Sequence, residues 1–290
     1  MNEYAIITDS TSDLSPGMLE RYSIQVLPLG VLLGDKAFFH YPDERNMSFS
    51  AFYSQLRGAV EAKTTQVNLQ TYLKAFEDIL STGKDVFNIS FSSSMSGSYG
   101  NAVQAAKELR PKYPEQKVVV VDSLSGSSGE GLLVYHAALE KEKGKSIDEL
   151  EQWALQNRLR VNHWFVVDDL FHLKRGGRVS STAAVAGSML GIKPLLNFDD
   201  QGKTVLVDRI RGRKKSLKEL VVRMEQNYQH RKGDAVFISH ADCLEDAQFV
   251  EGLIREKFAP SDVFINYIGP VSGTHSGPNT VALFYFGDTR

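Results

Sequence analysis

The chain has 290 residues, a formal net charge of -2 and a single cysteine, and these values exclude several classes of protein. The near-neutral charge gives no overall attraction to nucleic acid or to anionic lipid, so no nucleic-acid partner is expected. Cys243 cannot form an intrachain disulfide. No stretch has the length of a membrane span or the pattern of a signal peptide, so we expect a cytoplasmic protein without stable membrane insertion.

The first part of the chain repeats one unit, which is an apolar strand, a turn rich in serine, aspartate and glycine, and a helix. Such strands are predicted over 4–8, 86–90 and 118–121. Residues 24–33 predict a further strand region bent at Pro28, followed by a polar connection. Strands that are apolar on both faces and alternate with helices indicate a mainly parallel sheet with helices on both faces. The hydroxyl-rich turns should then meet at the carboxyl edge, where open α/β sheets bind ligands.

The pattern changes near residue 160. Further strands are predicted over 164–167, 192–196, 204–210, 235–239, 263–268 and 280–286, and one of the intervening helices over 182–190. The turn Asp199-Asp-Gln-Gly202 is typical of a hairpin. We therefore predict an N-terminal α/β domain over 1–160 and a C-terminal α+β domain with antiparallel hairpins over 161–290.

The turn from Ser92 to Ser98 is the strongest candidate for a binding site in the first domain. It follows an apolar strand and precedes a helix that is predicted to begin near Ser96-Gly97. Free N–H groups and the positive end of the helix dipole favour an anion there, and glycine allows close approach. Because serine and glycine are also ordinary capping residues, the turn predicts either a phosphate or carboxylate site or a simple helix cap.

The search for catalytic and metal-binding motifs yields one alternative function. The seven histidines show no pair at metal-binding spacing, and the chain has no phosphate-loop motif, so neither a metal nor a cofactor is predicted. Ser96, Asp9 and His275 lie in separate turns that a fold can bring together. A serine hydrolase acting on acyl esters, with Ser96 as its nucleophile, is therefore the alternative to an anion-binding protein.

Two later segments carry further candidate groups. His275 lies in a loop, 269–278, that is rich in glycine and proline, where a histidine either binds a carboxylate or bonds to its own loop. The run 209–215 carries five positive charges around Gly212. Such a run is either a solvated surface or a docking patch for an acidic protein or a phosphate group.

Seven motifs form one ordered set along the chain. They are Thr8-Asp-Ser-Thr-Ser-Asp-Leu14, Ser92-Ser-Ser-Met-Ser-Gly-Ser98, Val121-Asp-Ser123, Leu173-Lys-Arg-Gly-Gly-Arg-Val-Ser180, Gly191-Ile-Lys-Pro-Leu-Leu196, Arg211-Gly-Arg-Lys-Lys215, and Ile268-Gly-Pro270 with His275-Ser-Gly-Pro278. This set resembles the DegV family of bacterial fatty-acid-binding proteins over essentially the whole chain. The resemblance implies two domains that enclose one long-chain fatty acid in an interdomain tunnel.

The resemblance also implies a role as the lipid-presenting subunit of bacterial fatty acid kinase, without catalysis of its own. A separate ATP-dependent kinase protein then phosphorylates the bound carboxylate, and the acyl phosphate proceeds to phospholipid synthesis. The implied carboxylate-binding residues are Thr64, Thr65, Ser93, Ser96, Gly97 and His275, and the residues implied to contact the partner or the phosphoryl group are Arg211 and Arg213.

An apolar lining for the acyl chain is expected from Phe165, Met189, Leu190 and Ile192. The chain departs from the usual family pattern at two places. Val67 follows Thr65-Gln66 where the family commonly has proline, and Asn279 follows Pro278 where it commonly has glycine. Both departures leave the threonines and His275 in place, so they bear on chain-length preference and loop shape.

Overall fold

The computed structural model describes residues 3–179, 191–228 and 234–290, and these described residues form three β-sheets. The first sheet is parallel throughout. Its strands, in spatial order, are β2 (Ile24–Leu27), β1 (Tyr4–Asp9), β6 (Asp85–Ser90) and β7 (Val118–Asp122). Strand β6 is buried along its whole length, as expected for a strand that is covered on both faces, and the predicted parallel sheet is confirmed.

A small antiparallel sheet follows the first sheet in the chain. Its strands, in spatial order, are β4 (Lys36–Phe39), β3 (Gly30–Leu33) and β5 (Ala62–Thr65). The bend at Pro28 therefore separates two strands that belong to different sheets. The polar connection predicted after residue 33 contains β4, which is mostly exposed and so lacks an apolar pattern. Thr64 and Thr65 end a strand, because they pair with Val31 and Gly30.

The third sheet is built from the second part of the chain and is mixed. Its strands, in spatial order, are β10 (Thr204–Arg211), β9 (Ile192–Phe198), β8 (Val161–Val166), β13 (Val281–Phe286), β11 (Ala235–His240) and β12 (Asp262–Tyr267). Only the β11–β12 pair in this sheet is parallel. The predicted hairpin is confirmed, since Phe198 pairs with Thr204 across the turn. The predicted α/β and α+β fold class is correct.

Helices cover the sheets and position the loops of the site. In the first part they are α1 (Pro16–Arg21), α2 (Phe49–Arg57), α3 (Leu69–Leu80), α4 (Ser98–Leu109), α5 (Ser128–Glu142) and α6 (Ile147–Asn157). Ser15 and Ser48 cap α1 and α2 through their side chains. Most of α5 is buried, because it packs against β6 on one side and against β8, β11 and β13 on the other. One hydrophobic core therefore continues from the first sheet into the third.

The second part contributes α7 (Phe171–Arg175), α8 (Arg213–Glu225), α9 (Leu244–Phe258) and α10 (Pro270–Ser276). The prediction of a loop around His275 is wrong in one respect, because residues 270–276 of that segment form the short helix α10. Gly269 is the N-cap and Pro270 occupies the first helical position, where a missing N–H costs nothing. The helix predicted over 182–190 lies outside the described residues. Of the described helices, none combines the length and the hydropathy needed to cross a bilayer.

Candidate functional site

A cavity of about 180 Å³ lies where the three sheets approach one another. The turns after β6 and β7, the end of β5, strands β8, β9 and β13, and helix α10 all contribute to its wall. The carboxyl edge of the parallel sheet therefore faces the cavity, as the position of the hydroxyl-rich turns predicts.

The wall of the cavity is mainly apolar. Its larger side chains are Phe91, Phe165, Leu173, Phe198, Ile268 and Phe284. Gly126 allows two of these rings to close in, because a Cβ there would lie 2.4 Å from the Phe91 ring and 3.4 Å from the Phe198 ring. Phe165 lies on the wall as expected, Ile192 does not, and Met189 and Leu190 lie outside the described residues. A space of this kind suits an alkyl chain.

The polar end of the cavity is built around His275. Its Nε2 lies 2.9 Å from Thr64 Oγ1, a hydrogen bond between residues that are 211 positions apart in the chain. Its Nδ1 is buried and forms no hydrogen bond within the described residues. Gly176 makes room for the ring, because a Cβ at this residue would lie 2.1 Å from Nδ1. Thr65 also lines the cavity, so β5 and α10 together supply this polar end.

The serine turn contributes Ser96 and Gly97 to the wall, but not Ser93. Ser96 Oγ lies 3.0 Å from Ser98 Oγ and accepts a hydrogen bond of 3.2 Å from the Ser98 N–H. Helix α4 begins immediately after Gly97, which places the positive end of its dipole at the cavity. Ser93 is exposed, and its N–H donates to Asp122 on the outer side of the turn. The structure therefore brings Thr64, Thr65, Ser96, Gly97 and His275 together and leaves Ser93 outside.

Electrostatics at the polar end favour an anion. Arg178 lines the cavity and is half-buried, and its guanidinium donates to the carbonyl oxygens of Met95 and Gly176. No carboxylate pairs with it among the described residues. Burial, together with Arg178, Arg175 and His172, lowers the pKa of His275 to about 3. The imidazole is therefore neutral near pH 7, and it offers a hydrogen bond while the guanidinium supplies the positive charge.

Sequence reasoning missed most of this wall, including the polar residues Arg178, Ser272 and Ser276. Arg178 was visible only as the end of an arginine–glycine–glycine–arginine motif. Its position depends on the two glycines that precede it. Gly176 is the C-cap of helix α7, and Gly177 has a φ of 69°, a conformation that turns the chain back toward the cavity. The two serines were hidden because the helix that orients them was not predicted.

The two arginines that were predicted to contact a partner have different environments. Arg213 forms an ion pair with Asp246 at 2.7 Å and donates to the Asn279 carbonyl oxygen at 2.6 Å. Asn279 has a φ of 61°, a conformation that asparagine and glycine tolerate, which accounts for asparagine at a place where glycine is usual. Arg211 is exposed at the end of β10. Arg213 thus holds the fold together, whereas Arg211 is available to a partner.

The hydrolase alternative gains no support from the geometry. Asp9 accepts hydrogen bonds from Thr11 and from the Phe91 N–H, His275 bonds to Thr64, and Ser96 bonds to Ser98. These three residues therefore do not form the hydrogen-bonded chain of nucleophile, base and orienting acid that a hydrolase needs. Within the described residues, no group of three or more histidine, cysteine or acidic side chains is arranged to hold a metal ion.

Comparison with known proteins places this chain in one family. A family model described as "Uncharacterised protein, DegV family" matches residues 3–288. A DegV domain-containing protein of Clostridium perfringens is 41% identical over 290 residues, which cover 100% of this chain and 99% of the relative. The chain belongs to the DegV family.

Solved structures agree with this assignment. A DegV lipid-binding protein from Thermotoga maritima superposes with a TM-score of 0.87 at 26% identity, covering 99% of each chain. DegV of Bacillus subtilis, a fatty-acid-binding protein, superposes with a TM-score of 0.86 at 26% identity, covering 99% of this chain and 100% of its own.

Proposed function

We propose that this protein binds one long-chain fatty acid in the cavity, with the carboxylate at the polar end and the alkyl chain along the aromatic wall. The observation that carries the proposal is the hydrogen-bonded Thr64–His275 pair at the polar end of a mainly apolar cavity. The fatty-acid and lipid binding of the Bacillus subtilis and Thermotoga maritima relatives supports it.

The division of labour within the cavity follows from ordinary energetics. Burial of each methylene contributes about 0.8 kcal/mol, so the alkyl chain supplies most of the affinity. Thr65, Ser96 and Gly97 donate hydrogen bonds that fix the carboxylate, the hydrogen-bonded Thr64–His275 pair donates one more, and Arg178 adds a positive charge. Ser93 is not part of this proposal, because it is exposed away from the cavity wall.

We further propose that the protein presents the bound carboxylate to a separate ATP-dependent fatty acid kinase, and that the acyl phosphate proceeds to phospholipid synthesis. In this role the protein needs no catalysis of its own. Exposed residues at the cavity mouth support the proposal, since Thr65, Gln66 and Gly97 are both exposed and part of the wall. Arg211 is the basic residue that we assign to the partner or to the phosphoryl group.

Native mass spectrometry of the protein purified from bacteria tests fatty-acid binding. One co-purified fatty acid per chain is expected, and extraction identifies its length and unsaturation. An empty protein that also takes up no added fatty acid would refute the proposal.

Charge reversal at Arg211 tests presentation to the kinase. Arg211→Glu should reduce acyl phosphate formation by the partner kinase about tenfold or more while fatty-acid affinity stays within about twofold. Arg213→Glu is the comparison, because it breaks the pair with Asp246 and should lower stability. Equal loss of fatty-acid binding and phosphorylation in the Arg211 variant would place this residue in the cavity or in the fold instead.

A further inference from the structure

Ser272 and Ser276 distinguish the wall of this cavity from a purely apolar one. They lie four residues apart on α10, so they share one face of the helix, and both line the cavity. Their Oγ atoms are buried, and neither forms a hydrogen bond within the described residues. Two buried hydroxyl groups without partners are a cost to the fold that a bound molecule can remove.

Neighbouring hydroxyl groups show that partners inside the protein are accessible in this region. Thr274 Oγ1 donates to the Pro270 carbonyl oxygen at 2.8 Å, and Thr280 Oγ1 lies 2.9 Å from the Gly277 carbonyl oxygen. Ser127, another residue of the wall, donates from its Oγ to Asp13 Oδ2 at 2.5 Å. Of the three hydroxyl groups on α10, that of Thr274 has a partner inside the protein, whereas those of Ser272 and Ser276 have none within the described residues.

We propose that Ser272 and Ser276 form a second polar subsite, which binds a hydroxyl group carried by the fatty acid close to its carboxylate. This inference rests on the proposed fatty-acid binding and specifies the class of fatty acid. A serine hydroxyl both donates and accepts, so it matches another neutral hydroxyl. A second anionic group is a poorer match, because Arg178 is the one cationic side chain on the described wall and it lies at the carboxylate end.

The position of the subsite limits where the hydroxyl group lies on the ligand. Ser272 precedes His275 by three residues and Ser276 follows it directly, so both serines lie within about one helical turn, roughly 5.4 Å, of the carboxylate-binding histidine. That distance corresponds to the first few carbon atoms of an acyl chain. The subsite thus favours fatty acids hydroxylated near the carboxylate over those hydroxylated far along the chain.

The test is a competition assay with palmitic acid and three isomeric hydroxypalmitic acids. Their hydroxyl groups lie on the carbon next to the carboxylate, one carbon further, and at the far end of the chain. In the wild-type protein, one of the two proximal isomers should bind at least as tightly as palmitic acid, despite the desolvation of its hydroxyl group. In the Ser272→Ala/Ser276→Ala variant, affinity for that isomer should fall about 5- to 50-fold, while affinity for palmitic acid stays within about threefold.

Thr274→Val is the matched control, because it removes a hydroxyl group from the same helix that bonds within the protein. This variant should leave the ratio of hydroxylated to unsubstituted affinity unchanged. The inference is overturned if palmitic acid binds well but every hydroxylated isomer is rejected equally by wild type and by the double serine variant. Failure of palmitic acid itself to bind would refute the proposed function, so the two failures are distinguishable.

Discussion

Two regions of the molecule bury polar groups in opposite ways. Beneath the serine turn, Asp9, Thr11 and Glu130 are fully buried and hydrogen-bond to one another and to the backbone. In the cavity wall, His275 and Ser272 each bury a polar atom that has no partner within the described residues. The first arrangement joins secondary-structure elements, and the second keeps hydrogen-bonding capacity for a molecule that enters. Burial of polar groups alone therefore does not identify a binding site; in the cavity wall, buried polar atoms that lack partners among the described residues coincide with an enclosed space that a ligand can enter.

The buried acidic region is also a proton-binding region. Thr11 Oγ1 contacts Glu130 Oε2 at 2.9 Å and also contacts Asp9 Oδ1. One hydroxyl proton cannot serve two carboxylates, so one of the two acids carries a proton. Burial raises the pKa of both Asp9 and Glu130, which agrees with this geometry. The network thus includes at least one protonated carboxyl group.

Asp13 extends the same arrangement toward the cavity. Its Oδ1 accepts from the Gly269 N–H, 3.0 Å away, at the start of α10, and its Oδ2 lies 2.5 Å from Ser127 Oγ. Burial raises the pKa of Asp13 to about 8, with Asp9 adding to the effect. The acidic region therefore positions the helix that carries His275, without contributing to the cavity polarity itself.

The largest expected effect follows from deletion of Glu130. Glu130→Ala leaves the Thr8 and Thr11 hydroxyl groups without their carboxylate and opens a buried space, which should lower the free energy of unfolding by about 3–5 kcal/mol. Urea denaturation measures the loss. Glu130→Gln is the matched control, because its amide reproduces a protonated carboxyl group, and it should lose less than about half as much. Similar small losses in both variants would mean that this network contributes little to the fold.

The next effect is a pH dependence of stability that originates in Asp13. Because its pKa is about 8 when folded and near 4 when unfolded, the folded state holds the proton over a range where the unfolded state has lost it. The stabilisation is complete below about pH 4 and declines as the pH rises toward 8, by on the order of 2–4 kcal/mol. Asp13→Asn should flatten this decline in urea titrations. A wild-type protein whose stability rises from pH 5 to pH 8 would contradict the assignment.

The contrast between the two regions also explains what the sequence could predict. Strand β6 and the helix after Gly97 were predictable because apolar runs, serine caps and glycine turns are local signals. The capping of α1 by Ser15 is of the same kind. The class of fold and the serine turn as part of the site followed from such signals.

Features that depend on distant contacts were not predictable from local pattern. The Thr64–His275 hydrogen bond joins residues 211 positions apart, and β5 and α10 lacked the apolar period that marks a strand or helix. Strand β4 is mostly exposed, so its residues gave the pattern of a loop. The composition of the loop 269–278 had singled out His275 and the family resemblance supplied Thr64, but their pairing and the role of Arg178 required the fold.

A smaller effect tests the cavity wall directly. Thr64→Val keeps the shape of the side chain but removes the hydroxyl group that contacts His275, so one charge-assisted hydrogen bond to the carboxylate is lost. Fatty-acid affinity should fall about 10- to 100-fold, corresponding to roughly 1.5–3 kcal/mol, while stability changes little. Thr64→Ser retains the hydroxyl group and should bind within about threefold of wild type. Equal losses in both variants would show that the fit of the whole side chain, and not the hydroxyl group alone, matters at this position.

The smallest effect concerns the charge of Arg178. Because this guanidinium is only half-buried and bonds to carbonyl oxygens, solvent screens it, and Arg178→Gln should weaken fatty-acid binding by about 3- to 10-fold. The difference from wild type should shrink as salt is added, and Arg178→Lys, which keeps the charge, should bind more tightly than the glutamine variant. A fatty alcohol of the same length is the decisive probe, because it lacks the carboxylate. If the glutamine variant loses as much affinity for the alcohol as for the acid, the charge of Arg178 does not contribute to binding. Arg178 then acts by supporting the turn that contains Met95.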